Sequence, residues 1–153
     1  MEGHQIVAVC HANYCRSPVG EHLLENKFSN TSKFLFKSAG ISPISIAEMD
    51  KRSREFLISK KSYTKSHFPK LLTKQLIKSS SLVLVMGNEV LFQLNHLHPE
   101  FKNKFKAFNY YKPSLYLNDP YNFDAVKYKE IMENIEEIVN IFNEEKLMNL
   151  INF

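Results

Sequence analysis

Between the apolar run at residues 5–10 (QIVAVC) and a helical pattern that opens at Pro18, the chain has only seven residues, His11 to Ser17. The run is β-branched and ends in turn chemistry, which predicts a short buried strand. A connection this short, from the end of a strand into the start of a helix, must curl. Its N–H groups then point inward beside the positive end of the helix dipole and form a cradle for an anion. The chain has two cysteines, and both, Cys10 and Cys15, fall in this stretch with Arg16 directly after the second. Arg16 adds a planar, bidentate donor suited to a tetrahedral oxyanion. A cysteine in the same cradle feels the N–H dipoles, the helix terminus and the guanidinium, all of which favour thiolate. A thiolate under a bound phosphate is the nucleophile of covalent phosphoryl transfer through a thiophosphate.

A blander role exists for each residue. Cys10 is also a plausible buried strand-end cysteine, and Cys-x5-Arg by itself arises by chance. The strand before it and the Arg-Ser-Pro after it favour the catalytic role. Two cysteines are half a zinc site, and no histidine pair stands at ligand spacing, so neither metal nor other cofactor is expected. Ser17 suits the N-cap of a helix with Pro18 at its first position. It is equally suited to steady the Cys10 thiolate with its hydroxyl.

The remaining pattern fixes the class. Residues 34–38 (FLFKS), ended by Ala39-Gly40, and 81–86 (SLVLVM), closed by Gly87-Asn88, read as strands, and 104–108 (KFKAF) as a lysine-bearing edge strand. Val19, Leu23, Leu24 and Phe28 share one face of the first helix. A second helix is predicted from about Ile46 or Asp50 to Ser59, with Arg52, Arg54 and Glu55 exposed and Phe56 and Leu57 inward. A third covers 88–97, and a long last helix runs from about Asp124 to Leu147. Alternation of strands and helices predicts an α/β fold: a single domain over residues 1–153, with a parallel sheet of four strands and helices on both faces. Ligands of such sheets bind at the C-terminal strand ends, where Cys10 falls.

Length and composition agree. A chain of 153 residues, 44% hydrophobic, suits one domain with a real core. No run is long enough to span a membrane, and the N-terminus lacks a basic region and a small-residue cleavage site. Two cysteines five apart are no secreted disulfide framework, so a cytoplasmic setting is expected. The net charge of +4 favours anionic partners without pointing to nucleic acid, and no membrane insertion is expected. Lysine-rich 60–78 is expected to be a solvated loop and helix face, with steering of an acidic phosphorylated tail as the alternative.

An alkyl or tyrosyl oxygen leaves poorly as an anion, so the chemistry needs a general acid. The stretch LNDPYNF, 117–123, offers Asp119 with its backbone fixed by Pro120. Tyr116, Tyr121 and Phe123 could wall a pocket for an aromatic substrate. The ordinary alternative is an Asp-Pro turn before a helix capped by Asp124.

The motifs CHANYCRSP (10–18) and DPY (119–121) resemble the low-molecular-weight protein tyrosine phosphatase family, of the bacterial exopolysaccharide-associated type. GEHLL after the loop, SAG at 38–40, RSREFL at 52–57 and LVLVM at 82–86 extend the likeness over nearly the whole chain. The resemblance implies a four-stranded parallel sheet, no metal, and hydrolysis of phosphotyrosine through a cysteinyl-phosphate. It assigns Cys10 as nucleophile, Arg16 as phosphate grip, Asp119 as general acid and Ser17 as the hydroxyl near the sulfur. Asn13 becomes the brace of the loop, and left-handed backbone suits an asparagine there. His67 takes the place of a histidine that buttresses this asparagine; a surface-loop histidine is the equal alternative. Cys15 becomes a redox partner able to form a disulfide with Cys10. His11, Ala12, Asn13, Tyr14, Cys15, Ser17 and Tyr121 are the expected substrate-contacting positions. The implied partner is a phosphotyrosine protein, with a tyrosine autokinase of exopolysaccharide export as one candidate. Ala12 stands where glycine is usual, Lys70 where arginine is usual, and Gly87-Asn88 where an acid is expected. Arsenate reduction on this scaffold needs cysteines outside the loop. Phosphoarginine hydrolysis goes with a small polar residue at the Tyr14 position. A phosphate-binding module without activity would not keep Cys10, Arg16 and Asp119 together.

Overall fold

The computed structural model describes residues 3–44 and 48–153. Strands β1 (His4–Cys10), β2 (Phe34–Gly40), β3 (Leu82–Val85) and β4 (Phe105–Ala107) form one parallel sheet in the order β2-β1-β3-β4. Cys10 pairs with Gly40 on one side of β1, and Val9 with Val85 on the other. The connections leaving β1 and β3 therefore diverge, and their C-terminal ends bound a crevice where strand order reverses. Cys10 is the last residue of the central strand and opens into that crevice.

Both faces of β1 are buried, which is why it reads as a continuous apolar run rather than an alternating one. Ile6, Ala8 and Cys10 join the larger core, packed by α1 (Ser17–Lys27), α2 (Lys51–Ser59), α5 (Ala125–Ile141) and α6 (Glu144–Asn152). Val7 and Val9 face the smaller core, with Ile77 from α3 (Lys74–Ser79) and Val90 and Leu94 from α4 (Asn88–Leu97). A 3-10 helix, Pro99–Lys104, leads into the short edge strand β4.

Three expectations need correction, the Ser17 cap, the exposure of Arg52 and the single last helix, while the second helix keeps its expected Asp50 start and Ser59 end. Ser17 is the first helical residue of α1, and Arg16 occupies the cap position without a capping side chain. The second helix starts at Lys51, capped by Asp50, whose carboxylate accepts from Arg52 N; Ile46 lies outside the described residues. Arg52 in this helix is half-buried rather than exposed. The long last helix is two: α5 ends at Ile141, and Asn143 caps α6 by accepting from Lys146 N. Lys27 Nζ donates to Val139 O, Asn140 O and Phe142 O, so the carbonyls freed at that break have a charged partner. Asp124 does cap α5, accepting from Lys127 N.

Candidate active site

The loop after β1 is held from behind by side chains it buries. Asn13 adopts the left-handed backbone expected of it, φ 54°. Its amide Nδ2 donates to Ser17 Oγ at 2.8 Å and Ser38 Oγ at 3.1 Å, and its Oδ1 accepts from Lys70 N at 2.8 Å. Ser38 in turn donates to Glu21 Oε1 at 2.6 Å, and Lys65 pairs with Glu21 Oε2 at 3.1 Å. Because both amide hydrogens of Asn13 point at the two serines, the Ser17 hydroxyl keeps its own proton for another acceptor. Cys10 Sγ stands 3.0 Å away, and Ser17 N–H approaches the same sulfur at 3.4 Å. The hydroxyl and the backbone N–H of Ser17 thus both lie against one sulfur at the start of α1, with Ala39 O a second acceptor for the hydroxyl at 3.4 Å.

His67 is buried, not a surface-loop residue. Its Nε2 stands 2.8 Å from Asn13 O and must carry the proton, because a carbonyl only accepts. Burial holds the ring below the ordinary histidine range. Gly40, opposite Cys10 on β2, lets the strand end touch the loop. A Cβ there would stand 2.7 Å from Asn13 N and 2.8 Å from His11 O.

Arg16 is 2% exposed. Its Nη1 donates to Met86 O (2.9 Å), Glu89 Oε1 (2.8 Å) and Leu117 O (2.8 Å). Among the described residues Nε and Nη2 have no protein partner, which leaves one edge of the guanidinium for an oxyanion. Burial opposes the charge, but Cys10, Glu89 and Asp119 outweigh it and raise the guanidinium above its ordinary value. The acid expected at 87–88 is Glu89, two residues into α4. Gly87, at φ 114°, makes room, since a Cβ would meet Arg16 Nη1 at 2.5 Å.

A cavity of about 330 Å3 opens over this loop. Cys10, Ala12, Cys15 and Arg16 line it from the loop, together with His11 and Tyr14 toward its walls. Asp119 and Tyr121 come from the long segment before α5, and Ser42, Pro43 and Ile44 from the turn after β2. That turn runs beside the loop: Ser42 N donates to His11 O at 2.8 Å and Ile44 N to Ala12 O at 3.3 Å. Tyr14 and Tyr121 have ring centroids 6.3 Å apart. Of the three aromatics expected as walls, only Tyr121 lines this cavity. Tyr116 turns away to donate to Glu130 Oε1, and both it and Phe123 border a different depression over α5. The side chains of Asn13, Ser17 and His67 lie behind the loop, outside the cavity lining. Asp119 is exposed, with its Oδ1 accepting from Tyr121 N at 3.1 Å.

Cys15 is buried, with Sγ 3.9 Å from Asp50 Oδ2. Burial pushes its thiol up to about 12, and Asp50 and Cys10 add to the rise. The two cysteines are therefore unlike: one faces the hydroxyl and N–H of Ser17, the other a carboxylate. Both are free thiols. Among the described residues no cluster of potential metal ligands occurs, and no helix is long and apolar enough to cross a membrane.

The arrangement offers a nucleophile, an anion grip and a carboxylic acid around one space large enough for an aryl phosphate. Sequence reasoning missed Glu21 and Glu89. Both lie in first or second turns of helices at strand ends, but their partners are far away in the chain.

Comparison with known proteins agrees with this geometry. The family model for low molecular weight phosphotyrosine protein phosphatase matches residues 5–149. Low molecular weight protein-tyrosine-phosphatase Etp of Escherichia coli K12 is 25% identical over 133 residues, covering 87% of this chain and 88% of its own. Among solved structures, the tyrosine phosphatase Wzb of Escherichia coli K30 in complex with sulphate superposes with a TM-score of 0.84 at 27% identity, covering 95% of this chain and 99% of that one. The YwlE arginine phosphatase of Geobacillus stearothermophilus shares the fold, with a TM-score of 0.83 at 24% identity over 97% and 96% of the chains.

Proposed function

The chain belongs to the low molecular weight phosphotyrosine protein phosphatase family, a family of hydrolases, and we propose that its loop cavity hydrolyses phosphotyrosine in proteins through a cysteinyl-phosphate. The phosphoryl group sits in the loop, gripped by backbone N–H groups and the open edge of Arg16. The Cys10 thiolate attacks phosphorus; the S–P bond forms as the P–O bond to tyrosine breaks. Asp119 gives its proton to the leaving tyrosyl oxygen. Its carboxylate then takes a proton from water, which attacks phosphorus and breaks the S–P bond. Inorganic phosphate leaves, and the thiolate and the acid are restored.

The observation that carries this reading is that one cavity joins Cys10, Arg16 and Asp119 with the Tyr14 and Tyr121 rings. The bulky Tyr14 stands in this wall where phosphoarginine hydrolysis goes with a small polar residue, which speaks against phosphoarginine as the preferred substrate. Arsenate reduction would need relay cysteines, and both cysteines are in the loop. Turnover of phosphotyrosyl, phosphoseryl and phosphoarginyl peptides side by side tests the choice. The phosphotyrosyl peptide should lead in kcat/KM by at least about tenfold; a lead for phosphoarginine would overturn it.

Two finer features belong to the same proposal. The partner is a phosphotyrosine protein in the cytoplasm, with a tyrosine autokinase of exopolysaccharide export as candidate. Its support is the likeness to bacterial relatives over most of the chain. Cys15 protects Cys10: peroxide converts the Cys10 thiolate to a sulfenic acid, and Cys15 condenses with it to a disulfide, releasing water. After enough peroxide to carry an unprotected sulfenic acid on to irreversible sulfinic acid, a thiol reductant should restore wild-type activity but not that of Cys15→Ser. Equal recovery would leave Cys15 with a structural role alone.

A further inference from the structure

Arg52 makes more contacts than a helix-start arginine needs. Its Nε donates to Asp50 Oδ1 at 3.0 Å and its Nη2 to Asp50 Oδ2 at 2.9 Å, a bidentate pair. The same guanidinium then reaches across to the segment that bears Asp119. Nη2 donates to Tyr121 O at 3.0 Å and Nη1 to Phe123 O at 3.1 Å. Its flat face lies over the Tyr128 ring of α5, with Cζ 3.9 Å from the centroid. The anchoring carboxylate is itself tied to the nucleophile loop. Asp50 N donates to Tyr14 O at 2.9 Å, and Asp50 Oδ2 is the oxygen that faces Cys15 Sγ.

The two carbonyls bracket the acid. Asp119 Oδ1 accepts from Tyr121 N, and Phe123 N closes a turn onto Pro120 O at 2.9 Å. Among the described residues, no other side chain donates to the backbone of residues 119–123. We infer that Arg52 is a positioning residue for the general acid: it clips the Asp119 turn to Asp50 and so sets the acid at a fixed place over the Cys10 loop. This rests on the proposed function, because it takes Asp119 as the acid. The competing role is structural only: Arg52 would close the Asp50 cap of α2, and the two carbonyl contacts would be incidental.

A planar fork matters here. Asp50 and both carbonyls are met at once by different edges of one guanidinium, which an ammonium cannot do. Displacing the acid should slow the step in which it gives its proton and the later water step, and kcat/KM reads only the first of these. In a two-step covalent mechanism, kcat/KM reports the steps through release of the first leaving group. The loss should therefore depend on how much that group needs protonation, which a general loss of folding would not produce.

The test measures kcat/KM on a phosphotyrosyl peptide and on dinitrophenyl phosphate, whose leaving group needs no proton. The proteins are wild type, Arg52→Met, Arg52→Lys, Asp119→Asn and the double variant Arg52→Met/Asp119→Asn. Arg52→Met should lose about tenfold on the peptide and about twofold or less on dinitrophenyl phosphate, as expected when an acid is misplaced by a fraction of an ångström. Arg52→Lys should show the same selectivity at smaller size, and it decides the matter if Arg52→Met does not fold. Adding Arg52→Met to Asp119→Asn should cost the peptide no more than it costs dinitrophenyl phosphate. Equal losses on both substrates from either Arg52 variant, or a full further tenfold loss on the peptide in the double variant, would overturn the assignment. If Asp119→Asn itself is unselective, the acid assignment falls first and Arg52 with it. A selective Asp119→Asn beside unselective Arg52 variants removes Arg52 alone.

Discussion

The Cys10 loop and the Asp119 turn, proposed here as nucleophile and acid, meet in one cavity but are built in opposite ways. Around Cys10 the supporting side chains, Asn13, Ser17, Ser38 and Glu21, are buried to 2% exposure or less and bonded to one another. Around Asp119 the chain is largely exposed, Asp119 itself included, and the turn hangs on its own backbone bonds and one half-buried arginine. The difference suits the two roles proposed for them. A thiolate and a bound dianion need donors fixed in advance, because donors that must reorient stabilise charge poorly. An acid that serves a leaving group, and then a water, works at the rim where both arrive.

Four changes probe that contrast, beginning with the most severe. Cys10→Ser should abolish turnover, since a serine hydroxyl is not an anion at neutral pH. The braces do not depend on the sulfur, so the melting temperature should stay within a few degrees of wild type. Appreciable phosphate release from purified Cys10→Ser would remove Cys10 from the centre of the account. Asp119→Asn should slow phosphotyrosine turnover about 10²–10⁴-fold, the usual worth of a positioned acid. Its effect on stability should be small, because the residue is exposed and its contact is local. A marked drop in thermal midpoint would mean the acid turn is more of a scaffold than its exposure suggests.

Gly40→Ala strikes the nucleophile side without touching a reactive group. The new Cβ would press on the backbone of His11, Ala12 and Asn13. It should cost about 1–3 kcal/mol, typical of overpacking, read by denaturant unfolding. Activity should fall by similar factors on phosphotyrosine and on activated aryl phosphates, since the anion cradle serves both. A loss confined to phosphotyrosine would place the damage at the acid instead.

The mildest probe compares the two cysteines. Cys15, pushed up to about 12 from an ordinary 9.0, stays a thiol well above neutral pH. At pH 7 to 8 iodoacetamide should label Cys10 and spare Cys15 until the chain is unfolded, as peptide mass mapping would show. The same shift has a stability consequence. A thiol whose folded value is raised contributes stability that is complete below about pH 9 and is lost as pH rises toward about 12. Cys15→Ser should therefore flatten the alkaline limb of stability against pH. An unchanged limb would deny Cys15 that part.

Much of the nucleophile side was legible because its signals are local. Strand, short loop and Pro-started helix adjoin in sequence, and Asn13 carries its own preference for left-handed backbone. The sheet followed from alternation, and Gly87-Asn88 correctly marked the end of β3. What escaped depends on partners far along the chain. Glu89 meets Arg16 across 73 positions, and Arg52 meets Tyr121 and Phe123 across 69 and 71. Periodicity places a side chain on a face and does not say which loop will fold over that face, so Arg52 read as exposed. Ser17 suited both a cap and a place beside the sulfur; the structure drops the cap and keeps the hydroxyl 3.0 Å from Cys10 Sγ. The break at Phe142 did leave a local trace: Asn143 followed by Glu144 and Glu145 is a helix-start pattern. The apolar spacing that runs on through Leu147 masked it.

The account rests on a phosphoryl group passing through Cys10, and a trap reads that directly. Protein mixed with a phosphotyrosyl peptide should be quenched within the first turnover in alkaline denaturant, where a thiophosphate survives as its dianion, and its intact mass and peptide map recorded. The account predicts a phosphoryl adduct on Cys10 that forms and decays with turnover, stronger in Asp119→Asn challenged with dinitrophenyl phosphate because the water step then lacks its base. Turnover without any adduct, or an adduct on another residue, would contradict it.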